Sequence, residues 1–492
     1  MPPIPLQKNE LNLVTSFIMN DLETHVFEDE EVTKSAGTYR QTFKDYTHFS
    51  NQVLSSGYDN YNSKVVESHI GASNIGTLVE EYHPALSYAG KFTNLFARNF
   101  NGHDRAILFG TQDGYIRAYD IDNKSIIWET DLSSEHNGQV KPGLKLYSTP
   151  ALDEENNKLY GLTVGWGKKE EGGRFLHHFA IVDSSTGELE QLCPVWQSDY
   201  VTDNNISLDA LTEHLHCKTS VAYTKNNKQR TLYIGCSIRI GGGDYMYADP
   251  NGPPGVIVSL SSNKQGEFNQ CKTHIQPMSS EADTGVYMAG AKPAILPNND
   301  LLITTGNGPV DISKGNYGCA IIRLNPDLSL KRDKSGKPYA INYEKDGGRE
   351  CWLQNFEYTV GSTSIVDING SLIASAQAKD GSVVFFKPDL MAKGASAVVK
   401  IEAGGKSTYG TPLAYERYGE AVFIASIRGK ASLVDDRENA LIEYYEQQSD
   451  ELLDTSYDGH ENLGCYGYVK THGESSPLRL YYSGDIKKDY AV

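Results

Sequence analysis

Few residue groups in this chain could do chemistry by themselves. His214-Leu215-His216-Cys217 places three metal-ligating side chains within four positions. On a strand, His214 and His216 share one face while Cys217 points to the other. No second motif completes a ligand set, so the run reads as structural. The stretch GGGDYMYADPNGPPG (241–255) is glycine-rich but leads into a strand-like run, not a helix, which argues against a phosphate-cradling loop and for a long hairpin insertion. No G-x-S-x-G nucleophile turn and no C-x-x-C-H haem attachment is present. Glu170 and Glu171 sit in GWGKKEEGGRF (165–175), Asn307 in TTGNGPVD (304–311) and Lys379 in AQAKDG (376–381). Taken alone, these are a charged hairpin loop, a Gly-Asn-Gly turn and an exposed turn lysine.

The elements that must position such residues follow from composition and pattern. The chain has 492 residues, 39% hydrophobic and 22% charged, enough apolar material for a sizeable core. The 46 Gly and 31 Tyr suit many turns and half-buried strands. A formal net charge of −18 disfavours nucleic acid and anionic membrane surfaces as partners. No apolar run reaches the length of a membrane span. The start lacks the basic and apolar regions of a secretory signal, which points to a cytoplasmic protein or to a processed start. The seven cysteines (193, 217, 236, 271, 319, 351 and 465) show no framework spacing, so the expectation is reduced, mostly buried thiols.

Residues 1–50 read as a polar leader segment packing on the main domain, and 51–492 as one repeat domain. Short strands recur with Gly, Asn and Asp turns between them. A leading strand opens with a small or hydroxyl residue: STPAL (148–152), KTSVAY (218–223), AKPAIL (291–296), GSTSIV (361–366) and GTPLAY (410–415). A second strand ends in small residues, as in AILFGTQDG (106–114), KLYGLTVGW (158–166) and DLLITTGNG (300–308). A third runs into an Asp-rich turn, with ASLVDDREN (431–439) filling that place in the sixth copy. A weaker seventh copy lies within 461–485. Each copy makes a small antiparallel sheet with two apolar faces, which must stack on its neighbours. The fold class is therefore all-β, and a β-propeller meets the requirement with only short protected edges.

The stretch GTQDGYIRAYDIDNKSIIWE (110–129) resembles the tryptophan-docking repeat of pyrroloquinoline-quinone (PQQ) dehydrogenases, through Gly110, Asp113, Gly114, Ala118, Asp120 and Trp128. The turn recurs as Asp183, Thr186 and Gly187. Upstream, Gly57, Asp59, Asn62, Ile70, Asn74, Ile75 and Leu78 are similar to the segment opening the propeller in polyvinyl-alcohol-dehydrogenase-like quinoproteins. The resemblance covers about 55–485 and implies eight blades, of which seven are legible. It also implies a Trp packed between neighbouring blades and a periplasmic or extracellular setting.

The same resemblance implies a site. A divalent cation, Ca²⁺, would take oxygen ligands from Glu170 or Glu171, from Asn307 and from Glu357 in FEYTVGSTS (356–364). Glu357 would also act as catalytic base; Lys379 and Arg174 would contact the quinone. The family's second acid is Thr359 here. Its stacking Trp is replaced by Gly290, with Tyr287 the nearest aromatic, and its vicinal Cys pair by His177–His178 in the comparable loop. Two functions follow: oxidation of an alcohol or sugar hydroxyl with PQQ and a cation, passing electrons to an unidentified acceptor, or a PQQ-free ring using its central funnel as a binding scaffold or non-redox enzyme.

Overall fold

The computed structural model describes residues 52–57, 59–62, 94–111, 113–132, 144–166, 175–195, 215–217, 219–238, 255–279, 284–286, 288–342, 358, 361–368, 370–379, 382–401, 406–407, 411–417, 420–428, 462–470 and 479–483. The expected leader 1–50 lies outside them.

Among the described residues the strands collect, in chain order, into six antiparallel meanders, with a two-stranded hairpin, Val310–Asp311 and Asn316–Tyr317, inserted in the fourth. Sheet 1 is Leu95–Phe100, His103–Gly110, Tyr115–Asp120 and Ser125–Asp131. Sheet 2 has a first strand broken into Lys145–Leu146 and Ala151–Asp153, then Lys158–Trp166, Phe175–Asp183 and Leu189–Pro194. Sheet 3 repeats this with Leu215–Cys217 and Ala222–Asn226, then Gln229–Ile238, Val256–Ser261 and Thr273–Pro277. Sheet 4 is Ala294–Ile295, Leu301–Thr304, Ala320–Leu324 and Ala340–Asn342; sheet 5 is Ser364–Ile368, Ser371–Gln377, Val383–Phe386 and Val398–Ile401. Sheet 6 is Lys406–Ser407 and Leu413–Arg417, Glu420–Arg428, Asn462–Lys470 and Arg479–Ser483.

The weak seventh copy is therefore no separate unit. Asn462–Lys470 pairs directly with Glu420–Arg428 and supplies the third strand of sheet 6. ASLVDDREN, expected in that place, falls outside the described residues, within an insertion whose hydrophobic pattern resembled a strand.

Strand alternation sends neighbouring residues into different cores. Leu159, Ala180 and Val182 join Leu108, Ile116 and Trp128 between sheets 1 and 2. Tyr160, Leu162 and Phe179 meet Leu232, Ile234 and Val258 between sheets 2 and 3. Tyr233 and Ile257 meet Ile303 and Ile322 between sheets 3 and 4, and Leu302 and Ile321 meet Ala374 and Val384 between sheets 4 and 5. Phe385 and Phe423 stack edge-on between sheets 5 and 6, their centroids 5.4 Å apart.

A short segment bonds to the first, or inner, strands of four sheets. Val53 bridges Phe96 of sheet 1. The Leu54 carbonyl accepts from Leu152 N of sheet 2 (2.8 Å), that of Asn60 from Ile295 N of sheet 4 (2.7 Å), and that of Tyr61 from Ile365 N of sheet 5 (3.0 Å). Six residues of chain reach at most about 20 Å, so the first strands of sheets 2 and 4 lie within that reach of each other.

Trp128 docks as the repeat implies. Its Nε1 donates to the Ser184 carbonyl across the interface between sheets 1 and 2 (2.9 Å), and its ring lies on Gly187. A Cβ on Gly187, which has φ +78°, would come within 2.9 Å of that ring. The Asp-rich turns are closed by their own side chains: Asp120 Oδ1 accepts from the backbone N–H groups of Asp122 and Asn123 (2.8 and 3.0 Å), and Asp183 Oδ1 from those of Ser185 and Thr186 (2.9 and 3.0 Å). Those donors hold the Asp120 carboxyl well below its usual range, Asn123 most strongly.

The cysteines depart from the expectation. Cys193 is disulfide-bonded to Cys271, joining sheets 2 and 3, and Cys217 to Cys236 across adjacent strands. Cys319 is disulfide-bonded too. Spacing along the chain did not reveal these pairs: Cys193 and Cys271, 78 residues apart, meet between two sheets, and Cys217 and Cys236 meet only through the register of their paired strands.

Two outcomes are expected. Trp128→Ala empties the first interface and costs about 3–5 kcal/mol, readable as a lower urea midpoint. Cys319 has only Cys351 or Cys465 left as a partner, so the unreduced, unfolded chain titrates one thiol and the reduced chain all seven.

Candidate functional site

Antiparallel strands reverse direction at every step. The turns between first and second strands, and between third and fourth, therefore leave one end of the ring. Connections between second and third strands, and from one sheet to the next, leave the other. At the first end the chain turns tightly: Asn101, Asn157, Asn227 and Asn299 occupy corresponding left-handed positions (φ 51°, 51°, 53° and 66°), and Gly370 does so in sheet 5 (φ 84°).

Of the residues singled out for the cation and quinone, the two that are described, Asn307 and Lys379, belong to connections at the second end. Asn307 lies between Thr304 and Ala320, and Lys379, half-buried, between Gln377 and Val383. Glu170, Glu171, Arg174 and Glu357 lie outside the described residues. The strands flanking them, Lys158–Trp166 with Phe175–Asp183 and Ala340–Asn342 with Ser364–Ile368, open on this end.

Sheets 4 and 5 build a mouth there. Thr304 Oγ1 donates to the Gly361 carbonyl (2.6 Å), tying the strand that leads to Asn307 to the chain that follows Glu357. Tyr358 is buried in the core shared by these sheets. Thr305 Oγ1 accepts from Ala320 N (2.9 Å), closing the base of the Asn307 connection. Beside Asn307, Gly308 packs so tightly on Thr284 that a Cβ would approach its Oγ1 to 2.1 Å. Thr284 itself has φ +106°, a strained backbone for a β-branched residue.

The inner wall holds a residue the sequence pattern had not singled out. Thr149, Ser220, Thr363 and Thr411 stand just ahead of the inner strands of sheets 2, 3, 5 and 6, all buried; in sheet 4 the residue there is Lys292. Lys292 is 1% exposed, and its Nζ donates to the Asp59 carbonyl (2.7 Å). Burial lowers its pKa from 10.5 to about 8, opposed by the charge of Asp59. Asn62 Nδ2 donates to the carbonyls of Lys292 and Thr363 (both 3.1 Å) and to Ser362 Oγ (3.2 Å). Asp59 and Asn62 thus clamp the axial segment against sheets 4 and 5. Tyr61, between them, has its phenol pushed up to about 12 by burial first, then by Asp367 and Asp59. The signal for Lys292 was present: AKPAI reads against STPAL and GTPLA.

Other expected features take structural roles. Gly290 ends the turn Met288–Gly290 with φ +84°, and its carbonyl accepts from Ser220 N (3.0 Å) and Ser220 Oγ (2.6 Å). A Trp there would be forced into a left-handed backbone. His177 and His178 belong to a strand of sheet 2, not to a loop. His177 Nε2 accepts from Cys217 N (3.3 Å), its Nδ1 lies 3.2 Å from the Thr163 carbonyl, and burial lowers its pKa to about 4, leaving it neutral. Cys217 is in a disulfide, so the His-Leu-His-Cys run is no metal cluster. Among the described residues no three His, Cys, Asp or Glu side chains form a group that could hold a metal. None of their helices is long and apolar enough to cross a membrane.

No protein-family model matches the chain, and no curated protein matches it in sequence. Among solved structures it is similar to a europium-containing methanol dehydrogenase (12% identity, 77% of this chain and 90% of that one, TM-score 0.33). It is also similar to the quinohemoprotein alcohol dehydrogenase from Comamonas testosteroni (11%, 77% of each chain, 0.29) and to BamB from Moraxella catarrhalis (10%, 68% and 92%, 0.26).

Because the folded chain disfavours the charged amine, it binds fewer protons than the unfolded chain between about pH 8 and 10.5. Stability therefore rises with pH across that window, by up to about 1.4 kcal/mol per pH unit. Lys292→Met is expected to remove that rise and to stabilise the protein at pH 7, measured by urea unfolding at pH 7, 8, 9 and 10.

Proposed function

We propose that the ring is a quinoprotein-like oxidoreductase that oxidises an alcohol or sugar hydroxyl at the mouth between sheets 4 and 5. The observation carrying this reading is directional. The connections bearing Asn307 and Lys379 leave the same end of adjacent sheets, and the Thr304–Gly361 bond ties the base of the Asn307 connection to the chain just ahead of the first strand of sheet 5. In this reading Asn307, Glu357 and Glu170 or Glu171 offer the oxygen donors a hard cation requires. Lys379 and Arg174 meet the anionic edge of the quinone, and Glu357 holds the proton leaving the substrate hydroxyl, on the side of the carbon opposite the hydride acceptor. PQQ, when bound, supplies the hydride-accepting carbonyl. The donor chemistry suits such a group in charge. Three disulfide-bonded cysteine sites also favour an oxidising compartment.

A second reading rests on Gly290. Its left-handed backbone holds the neighbouring inner strand and offers no aromatic floor, so a flat quinone would lose most of its stacking surface. A ring that has given up PQQ would use the same mouth as a ligand-binding scaffold or a non-redox site.

Calorimetric titration of the purified protein with PQQ, with and without Ca²⁺, separates the two. Calcium-dependent binding at micromolar or tighter affinity is the expected result, with Glu357→Gln losing at least about 100-fold of alcohol-dependent dye reduction while still binding PQQ. Absence of PQQ binding would overturn the redox reading in favour of the second.

A further inference from the structure

Both Lys292 and Thr363 project into the wedge between sheets 4 and 5. Ala294 belongs to the core those sheets share, and Lys292, two residues earlier in extended chain, faces the same way. Ile365 belongs to that core from the opposite side, and Thr363 shares its face. Asn62 Nδ2, bonded to both carbonyls at 3.1 Å, keeps the two residues adjacent.

The polar groups of this wedge are left incomplete. An ammonium has three donors, and the described residues give that of Lys292 one acceptor, the Asp59 carbonyl. Thr363 Oγ1 and Asn62 Oδ1 are buried without a hydrogen-bond partner. Among the described residues Asp59 is the one carboxylate whose charge the amine feels, and Lys292 makes no ion pair with any of them. Asn62 Oδ1 lies over Gly57, where a Cβ would meet it at 2.3 Å. A buried cation that feels a carboxylate but makes no ion pair with one is costly, and unfilled buried donors call for an occupant. Water would complete the hydrogen bonds and leave the ammonium without an ion-pair partner. A carboxylate completes both, accepting from Nζ and from the Thr363 hydroxyl.

We propose that the inner wall of the mouth between sheets 4 and 5 is an anion site in which Lys292, assisted by Thr363, receives a carboxylate. The ligand of this ring is then a carboxylic acid or carries one. The inference rests on the reading above for the place where ligands arrive, and adds the charge they bring. Lys292 is in this role a binding residue.

Formate is the probe, with ionic strength held constant by a bulky sulfonate. Formate is expected to raise the unfolding temperature of the full chain saturably at pH 7 and to lose its effect at pH 9.5, where the amine is neutral. Lys292→Met is expected to abolish the response, and Thr363→Val to weaken the apparent formate affinity at least fivefold. A response unchanged in Lys292→Met, or no saturable response in the native chain (water alone filling the wedge), overturns the proposal. Should Lys292→Met not fold, the pH comparison and Thr363→Val decide it, an unchanged formate response in both refuting it. Failure here stays separate from failure of the redox reading. Formate binding without PQQ binding sinks only the oxidoreductase, and PQQ binding with no formate response sinks only the carboxylate site.

Discussion

A four-stranded sheet whose faces are both apolar cannot be stable alone, and this requirement governs the ring. Leu159 and Tyr160, neighbours in sequence, enter different cores, one against sheet 1 and the other against sheet 3. Sheet 2 is thus the partner of two others, as are sheets 3, 4 and 5. The succession of shared cores from sheet 1 to sheet 5 is what two-faced sheets impose on a chain of local hairpins. Polar docking sharpens the contacts. Trp128 reaches the Ser184 carbonyl, and buried Arg230 of sheet 3 donates to Asp153 of sheet 2 (2.6 Å), whose other partner there is the Tyr160 hydroxyl (3.0 Å). Such a buried pair confers register more than net stability, since desolvation offsets much of its attraction.

Stacked sheets leave their inner strands facing an axis, and residues 52–62 complete four of them. The backbone of this segment satisfies N–H groups that would otherwise face the centre unpaired. The same arrangement explains the hydroxyl residues that open the inner strands. Ser220 bonds to the Gly290 carbonyl, and Thr411 Oγ1 accepts from Ser362 N (2.9 Å), so each ties one inner strand to the next. Lys292 breaks this series with a long cation, held by Asp59 where a short hydroxyl serves elsewhere.

The two ends of the ring then divide the work. Left-handed Asn residues and Asp-closed turns make one end short and self-satisfied, with little freedom to vary. Connections at the other end can lengthen without disturbing a core, because each begins and ends on a finished sheet. Strain gathers there: Thr284 is held at positive φ against Gly308, next to Asn307. A tight first end and a variable second end suit a scaffold whose chemistry can change while its architecture does not.

Much of this was legible in the residues. Alternating apolar positions, hydroxyl-led strands and Asp or Gly turns determined the all-β class and the repeat, because each is a local pattern with a local physical cause; the docking of Trp128 followed from the resemblance of its repeat. The strand directions that put Asn307 and Lys379 at one end follow from the same pattern. What the sequence did not determine depends on contacts between distant segments. Cys193 and Cys271 pair because sheets 2 and 3 lie face to face, and Asn462–Lys470 belongs to sheet 6 despite the long insertion before it. Lys292 looked like an ordinary lysine ahead of a proline. Only the packing of sheets 4 and 5 around Asp59 and Asn62 makes it a buried amine, since burial and counter-charge are properties of the assembled ring.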